Sequence, residues 1–186
     1  MLDKPIGFIF RGRHSDELGV GVKSTNRTVT PERRKKEFTI LGRSGSLELP
    51  SDEYNKRYIT VDIGIVNNDK FEDLRSQVRQ VASWLSGNGY LIFDDEPTKA
   101  YEASVYDAID LEQWELMSKG VASVTFECQP FAVSKDLNRQ IKQGTSSVNL
   151  TVTNHGNANT CGEIIIKNIG NTNINKITIT RKVVKQ

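Results

Sequence analysis

Two short runs of the sequence carry residue types that proteins use for catalysis or for metal binding. His14-Ser15-Asp16 contains the three side chains of a hydrolytic triad. Triads are assembled from separate segments, so adjacent residues do not reach the relay geometry. Asp94-Asp95-Glu96 offers the oxygen ligands that hard cations prefer. Three consecutive carboxylates point in different directions, and Pro97 marks a turn, so a metal site is the minor interpretation of this run.

The sequence contains none of the motifs that mark common catalytic sites. No GxSxG, HExxH, phosphate-loop or dinucleotide-binding glycine pattern occurs. His155, the second histidine, lies in an Asn- and Gly-rich turn. Cys128 and Cys161 stand outside any CxxC pair, which favours buried free thiols over a zinc site or a disulfide. We therefore predict no enzyme activity, no catalytic residue, no metal and no cofactor.

Alternating apolar residues predict a mainly β fold with one helix. The clearest strand runs from Arg57 to Val66, and others are predicted at 6–10, 37–41, 90–93, 101–109 and 121–128. Apolar residues at 71, 74, 78, 81, 82 and 85 have the spacing of one helical face. Asp69 with Glu72 resembles a capping box at the start of this helix, and Gly87 is a signal for its C-terminal end. Trp84 lies beside the apolar stripe, and we interpret it as facing the core.

Composition divides the chain near residue 133. All 14 aromatic residues lie between Phe8 and Phe131, and the following 55 residues are rich in Asn, Thr and Ile. We predict a domain of strands with one helix at 1–133 and a polar linker at 134–146. A short or truncated β-segment at 147–186, with strands at 147–152, 163–167 and 174–184, resembles part of a β-sandwich.

Charge is segregated along the chain although the net charge is only +2. Residues 11–43 carry a net +5, residues 90–127 a net −7, and residues 128–186 a net +6. These blocks can simply interleave in the fold, and that interpretation stays open. A total of +2 is small for a dedicated nucleic-acid binder. Self-association through unlike faces is favoured instead, because such a heterologous contact closes into a ring or extends into a filament.

Two charged segments are the predicted contacts between subunits. The first is a long loop that contains Arg27 and the run Arg33-Arg34-Lys35-Lys36, for which a solvated hairpin tip is the alternative. The second is the acidic turn Asp94-Asp95-Glu96. No run of 18 apolar residues occurs, so we predict no insertion into a membrane.

The order and spacing of several motifs over residues 8–131 resemble the distal tail proteins of siphophages, which are long-tailed, non-contractile bacteriophages, and of related prophages. The motifs are Phe8-Ile-Phe10, Thr30-Pro31 with the basic run after it, Gly42-Arg43-Ser44-Gly45, Tyr54-Asn55, Arg57-Tyr-Ile-Thr-Val61, Ala82-Ser-Trp84-Leu85-Ser86, Leu91 to Pro97, Tyr101-Glu-Ala103 and Val124 to Phe131.

This resemblance implies a β-barrel-like first domain with one helix. It also implies a structural protein at the tip of the virion tail, assembled in the cytoplasm of the bacterial host. It implies a hexameric ring that continues the tail tube, forms the hub of the baseplate and lets DNA pass through its lumen. It also implies, as partners, the tail tube protein, a tail-tip protein and receptor-binding proteins. A monomeric carbohydrate-binding β-sandwich module is the alternative function, although the tail lacks the aromatic residues that stack on sugars.

Overall fold

The structure is a computed structural model that describes residues 7–49, 51–66, 71–107, 109, 111–113, 119–136, 139–145, 147–158, 160–180 and 182. For residues 66, 71–74, 111–113 and 119 it describes the backbone alone. The chain divides into two compact units, residues 1–141 and residues 142–186. Among the described residues, no helix is long and apolar enough to cross a membrane.

Antiparallel strands make up most of the first unit. In chain order the strands are β1 (Phe8–Phe10), β2 (Arg13–His14), β3 (Val20–Asn26), β4 (Lys36–Thr39), β5 (Ser46–Leu49), β6 (Arg57–Val66), β7 (Gly87–Phe93), β8 (Lys99–Val105), β9 (Leu111–Gln113), β10 (Lys119–Cys128) and β11 (Val133–Ser134). A 3₁₀ turn, Ser15–Leu18, follows β2, and the helix α1, Phe71–Leu85, follows β6. The described residues thus confirm the mainly β fold class with its single helix.

The described strands form one large sheet and one hairpin. The large sheet has the order β2-β1-β7-β8-β10-β6-β3, with β9 added on β10 and β11 on β8, while β4 and β5 pair only with each other. Its longest ladder joins β6 to β10, where Ile59 lies opposite Phe126 and Val61 opposite Val124. All four of these side chains are buried, which confirms the alternation predicted for both strands.

Helix α1 covers the core through a face that differs slightly from the predicted one. Val81 and Leu85 are buried as predicted, but Ala82 is exposed, so its place in the apolar stripe is wrong. Trp84 takes its place: its ring stacks on Phe8 with centroids 5.3 Å apart, which confirms the core-facing interpretation. The proposed cap at residue 69 lies outside the described residues. Gly87, with φ 101°, follows the helix in a backbone conformation that favours glycine.

Several short elements depart from the sequence prediction. The residues 42–45 join two paired strands, because β5, which the sequence did not predict, returns antiparallel to β4. Strands β2, β9 and β11 are two or three residues long, too short to show a period of two in the sequence.

The second unit departs most from the prediction. Its described residues form no strand, so the strands predicted at 147–152, 163–167 and 174–184 are wrong there. Its apolar residues, such as Ile164 and Ile177, remain exposed, and no second layer covers them in the described part. Local turns satisfy some of the backbone instead: Asn154 Oδ1 accepts from Gly156 N at 2.8 Å, and Asn168 repeats this turn 14 residues later.

Candidate functional site

The first predicted contact segment forms an arm, residues 32–55, that ends in the β4–β5 hairpin. Its basic run is paired with acids on the returning limb of the same arm. Arg33 Nη2 donates to Asp52 Oδ1 at 2.7 Å, and Arg34 Nη1 donates to Glu53 Oε2 at 3.0 Å. Lys36 Nζ lies 3.6 Å from the same Glu53 carboxylate. The charges predicted to reach another subunit therefore join the two limbs of the arm.

One face of the hairpin is polar and internally compensated. Glu37 lies directly opposite Glu48, a cross-strand pair that would repel if left alone. Lys35 Nζ contacts both carboxylates and lies 2.8 Å from Glu48 Oε1. The hydrogen bond from Lys35 lowers the pKa of Glu37, and the two acids raise the pKa of Lys35. The ammonium group of Lys35 thus offsets the repulsion between the two carboxylates on the polar face.

The other face of the hairpin is apolar and exposed. Phe38 lies opposite Leu47, and Lys36 opposite Leu49, so these side chains share one side of the two-stranded sheet. Phe38 is 55% exposed and Leu47 41% exposed. Sequence reasoning missed this face. The signal was present in the two alternating segments that flank Gly42 and Gly45, both of which adopt positive φ.

The acidic turn is held within the protomer by Arg27. The Arg27 guanidinium forms a two-pronged contact with Asp95, with Nη1 donating to Oδ1 at 3.1 Å, and lies 3.8 Å from Glu96. It also sits over the Phe93 ring, 4.5 Å from the centroid. Hydrogen bonding from Arg27 lowers the pKa of Asp95, and the same bond raises the pKa of Arg27. Three of the predicted contact residues therefore meet inside one subunit.

Asp94 belongs to a different cluster that ties the N-terminal strand to this turn. Its carboxylate lies 3.0 Å from His14 Nε2 and accepts from Gly7 N at 2.9 Å. His14 Nδ1 in turn accepts from Asp16 N at 3.2 Å, which caps the 3₁₀ turn. Ser15 is fully buried and accepts from Phe8 N at 3.3 Å. The triad-like residues thus hold backbone in place, and Ser15 lacks the access that a nucleophile needs.

The remaining candidates for chemistry are the cysteines and metal clusters. Burial raises the pKa of the Cys128 thiol to about 12, so this thiol stays protonated at neutral pH. Cys161 is exposed, and its predicted burial is wrong. In the part of the chain that the structure describes, no three His, Cys, Asp or Glu side chains converge to hold a metal ion.

Comparisons with known proteins match this chain both in sequence and in fold. A family model described as a phage tail protein RIFT-related domain matches residues 17–128. The crystal structure of the SPP1 Dit protein (gp 19.1), described as a paradigm of the hub adsorption apparatus in phages that infect Gram-positive hosts, superposes with a TM-score of 0.59 at 18% identity. The match covers 68% of this chain and about half, 51%, of that one. A search of curated proteins finds no match.

Proposed function

Because the chain belongs to the phage tail proteins that carry a RIFT-related domain, we propose that it is a siphophage distal tail protein that assembles as a hexameric ring. In this role it joins the tail tube to the host-adsorption apparatus at the tip of the virion tail, and DNA passes through its lumen. Its partners are the tail tube protein, a tail-tip protein and, through sequence beyond the first unit, receptor-binding proteins. The fold that it shares with SPP1 Dit supports this proposal.

The observation that carries the proposal is the uncovered apolar face of the arm. A two-stranded hairpin is at best marginally stable in water, so one that exposes Phe38, Ile40 and Leu47 is costly unless another surface covers it. The arm stands apart from the large sheet, because β4 and β5 pair only with each other. In a ring of six copies, a neighbouring subunit covers this face at each of the six contacts.

The charged residues of the arm take a different role in this proposal from the one that the sequence predicts. Arg33, Arg34, Lys35 and Lys36 compensate acids of the arm and fix its shape. Arg27 likewise fixes the acidic turn at Asp95 and Glu96. The apolar side chains of the hairpin then make the contact, and the ion pairs orient them.

The alternative, a carbohydrate-binding module, receives no support from the described tryptophan. Trp84 is only 8% exposed and donates its indole N–H to Phe10 O at 2.8 Å, so its ring cannot stack on a sugar. Trp114 lies outside the described residues.

Mass measurement of the purified chain tests the ring. Six copies of 20.9 kDa predict a particle of about 125 kDa by light scattering after size exclusion, with an annulus in negative stain. Phe38→Ser combined with Leu47→Ser is expected to shift the particle to monomer by removing the apolar contact. Thr39→Ser, on the polar face of the same strand, is the matched control and should leave the ring intact. A wild-type chain that stays monomeric alone and together with its tail tube protein would contradict the ring.

A further inference from the structure

A basic cleft lies between the β1–β2 turn and the exposed side of α1. Three arginines line it: Arg11 and Arg13 from the turn and β2, and Arg79 from the helix. Ser76, Gln80, Ser83 and Trp84 complete the lining, and the cleft volume is about 590 Å³. We call Arg11, Arg13 and Arg79 with this lining the arginine cleft.

Arg11 is held in the arginine cleft by an unusual backbone. Its φ is +52°, a left-handed conformation that residues other than glycine rarely adopt. Its side chain runs over β7, where a Cβ at Gly89 would lie 2.5 Å from Arg11 Cγ. Its Nη1 donates to Ser86 O, just beyond the end of α1, at 2.6 Å. Arg11 and Gly12 form the two-residue loop between β1 and β2, a turn that needs positive φ at both positions, so the turn fixes where Arg11 lies.

The arginine cleft carries positive charge that its own surroundings barely offset. Within the described residues, Arg79 has no acidic partner, and Arg13 has only the exposed Glu17 at 3.3 Å. The indole of Trp84 is almost buried and its N–H is already bonded, so no ring is available to stack on a base or a sugar. Guanidinium groups bind carboxylates with two parallel hydrogen bonds, so an acidic protein surface matches the chemistry of the cleft.

A surface of matching chemistry lies on the outward side of the large sheet. Tyr58, Tyr90 and Tyr106 are 59%, 51% and 71% exposed. Glu102 lies opposite Tyr90 on the neighbouring strand and accepts from its hydroxyl at 3.5 Å. No lysine or arginine occurs between residues 100 and 109, and Lys56, which lies near Tyr58 and Tyr106, is already paired with Glu127. We call Tyr58, Tyr90, Glu102 and Tyr106 the tyrosine face.

We propose that the arginine cleft of one copy receives the tyrosine face of the next copy, with Arg79 pairing with Glu102. Tyrosine and arginine are enriched in protein interfaces, and opposite charges set the register of the contact. The two surfaces share no residue, so the contact is heterologous and repeats from copy to copy. This inference rests on the proposed ring, to which it adds a second contact beside the arm.

Charge reversal on each side, followed by mixing, tests the pairing. Arg79→Glu and Glu102→Arg are each expected to raise the concentration needed for ring assembly about tenfold or more, because like charges meet in every contact. In an equimolar mixture, copies of the two variants that alternate around the ring meet through opposite charges at every contact. Half of these contacts restore the native pair of Arg79 with Glu102, and the other half contain the same pair with its charges exchanged. The mixture should therefore recover the wild-type particle mass, measured by light scattering or native mass spectrometry.

The matched control is Arg139→Glu, which makes the same charge change at an exposed position outside both surfaces. It should assemble as the wild type does, and circular dichroism should show all variants folded. If Arg79→Glu assembles as well as the control, or if mixing restores nothing, the pairing is wrong while the ring stands. If the wild type itself never assembles, the ring and this contact both fail.

Discussion

At the scale of single residues, opposite charges fix turns that lie far apart in the sequence. Arg27 and Asp95 are separated by 68 positions, yet they form a two-pronged pair over the ring of Phe93. Only 23% of the Arg27 side chain and 37% of the Asp95 side chain are exposed. Partial burial and double hydrogen bonding make such a pair stronger than an ordinary surface ion pair.

Replacing Asp95 by Asn tests the contribution of this pair. At pH 7 we expect the free energy of unfolding to fall by roughly 0.5–1 kcal/mol, because the charge attraction is lost while the shape is kept. The folded state lowers the pKa of Asp95 from its ordinary value of 3.8, so the stabilisation is full above that value. It is lost as the pH falls from 3.8 toward the lowered pKa, because the unfolded state then takes up a proton that the folded state does not yet bind.

Urea unfolding of wild type and Asp95→Asn across this pH range measures the effect. The two curves should differ at neutral pH and converge in acid. Asp107→Asn, at an exposed carboxylate, is the control and should match wild type throughout. A difference between Asp95→Asn and wild type that does not change with pH would show that the loss is steric.

At the scale of elements, length decides how much the sequence predicts. Strand β6 spans ten residues with five buried alternate positions, from Arg57 to Ile65, and its pattern predicts both bounds and the buried face. Strand β5 has only four residues, so its alternation of Leu47, Glu48 and Leu49 is a weak signal beside the glycine-containing loop before it. The spacing of apolar residues predicts the helix. The core-facing side of the helix, however, contains Trp84 and not Ala82, because the Trp84 indole stacks on Phe8.

Trp84 joins helix α1 to strand β1, and Trp84→Phe isolates the polar part of that link. Phenylalanine keeps an aromatic ring against Phe8 but loses the indole N–H that bonds to Phe10 O. We expect a loss of about 1–2 kcal/mol in the free energy of unfolding, the usual effect of removing a buried hydrogen bond. Urea unfolding followed by circular dichroism measures it, and Gln80→Ala on the exposed side of the helix is the control. Equal midpoints for Trp84→Phe and wild type would show that this bond contributes nothing.

At the scale of the whole molecule, the sequence identifies unusual segments more reliably than it identifies the residues that these segments contact. The arm and the acidic turn stand out by charge alone. Their partners do not, because Arg27 and Asp95 meet only once β3 and the β7–β8 turn are folded together. Likewise, the arginine cleft combines a turn near residue 11 with a helix near residue 79, and the two are brought together only by packing around Trp84.

The core of the molecule predicts that the first unit folds without the second. Every buried residue of the hydrophobic cluster lies between Phe8 and Cys128, and Ala132 packs against it. A chain ending at residue 141 should therefore unfold cooperatively, within about 1 kcal/mol of the full chain, since no core side chain is removed. It should also bind less of an apolar dye, because Ile164, Ile165 and Ile169, each more than 65% exposed, are gone.

A shorter chain ending at residue 130 provides the contrast. It loses β11, the bond from Lys135 N to Thr98 O, and the edge-on contact of Phe131 with Tyr54 at 4.9 Å. We expect it to lose about 2 kcal/mol or more relative to the chain ending at 141, through the removed hydrogen bonds and apolar burial together. Because both chains lack the second unit, the comparison isolates the segment 131–141. Equal stability of the two would place the end of the folding unit at Cys128, whereas unfolding of both would show that residues 142–186 are required.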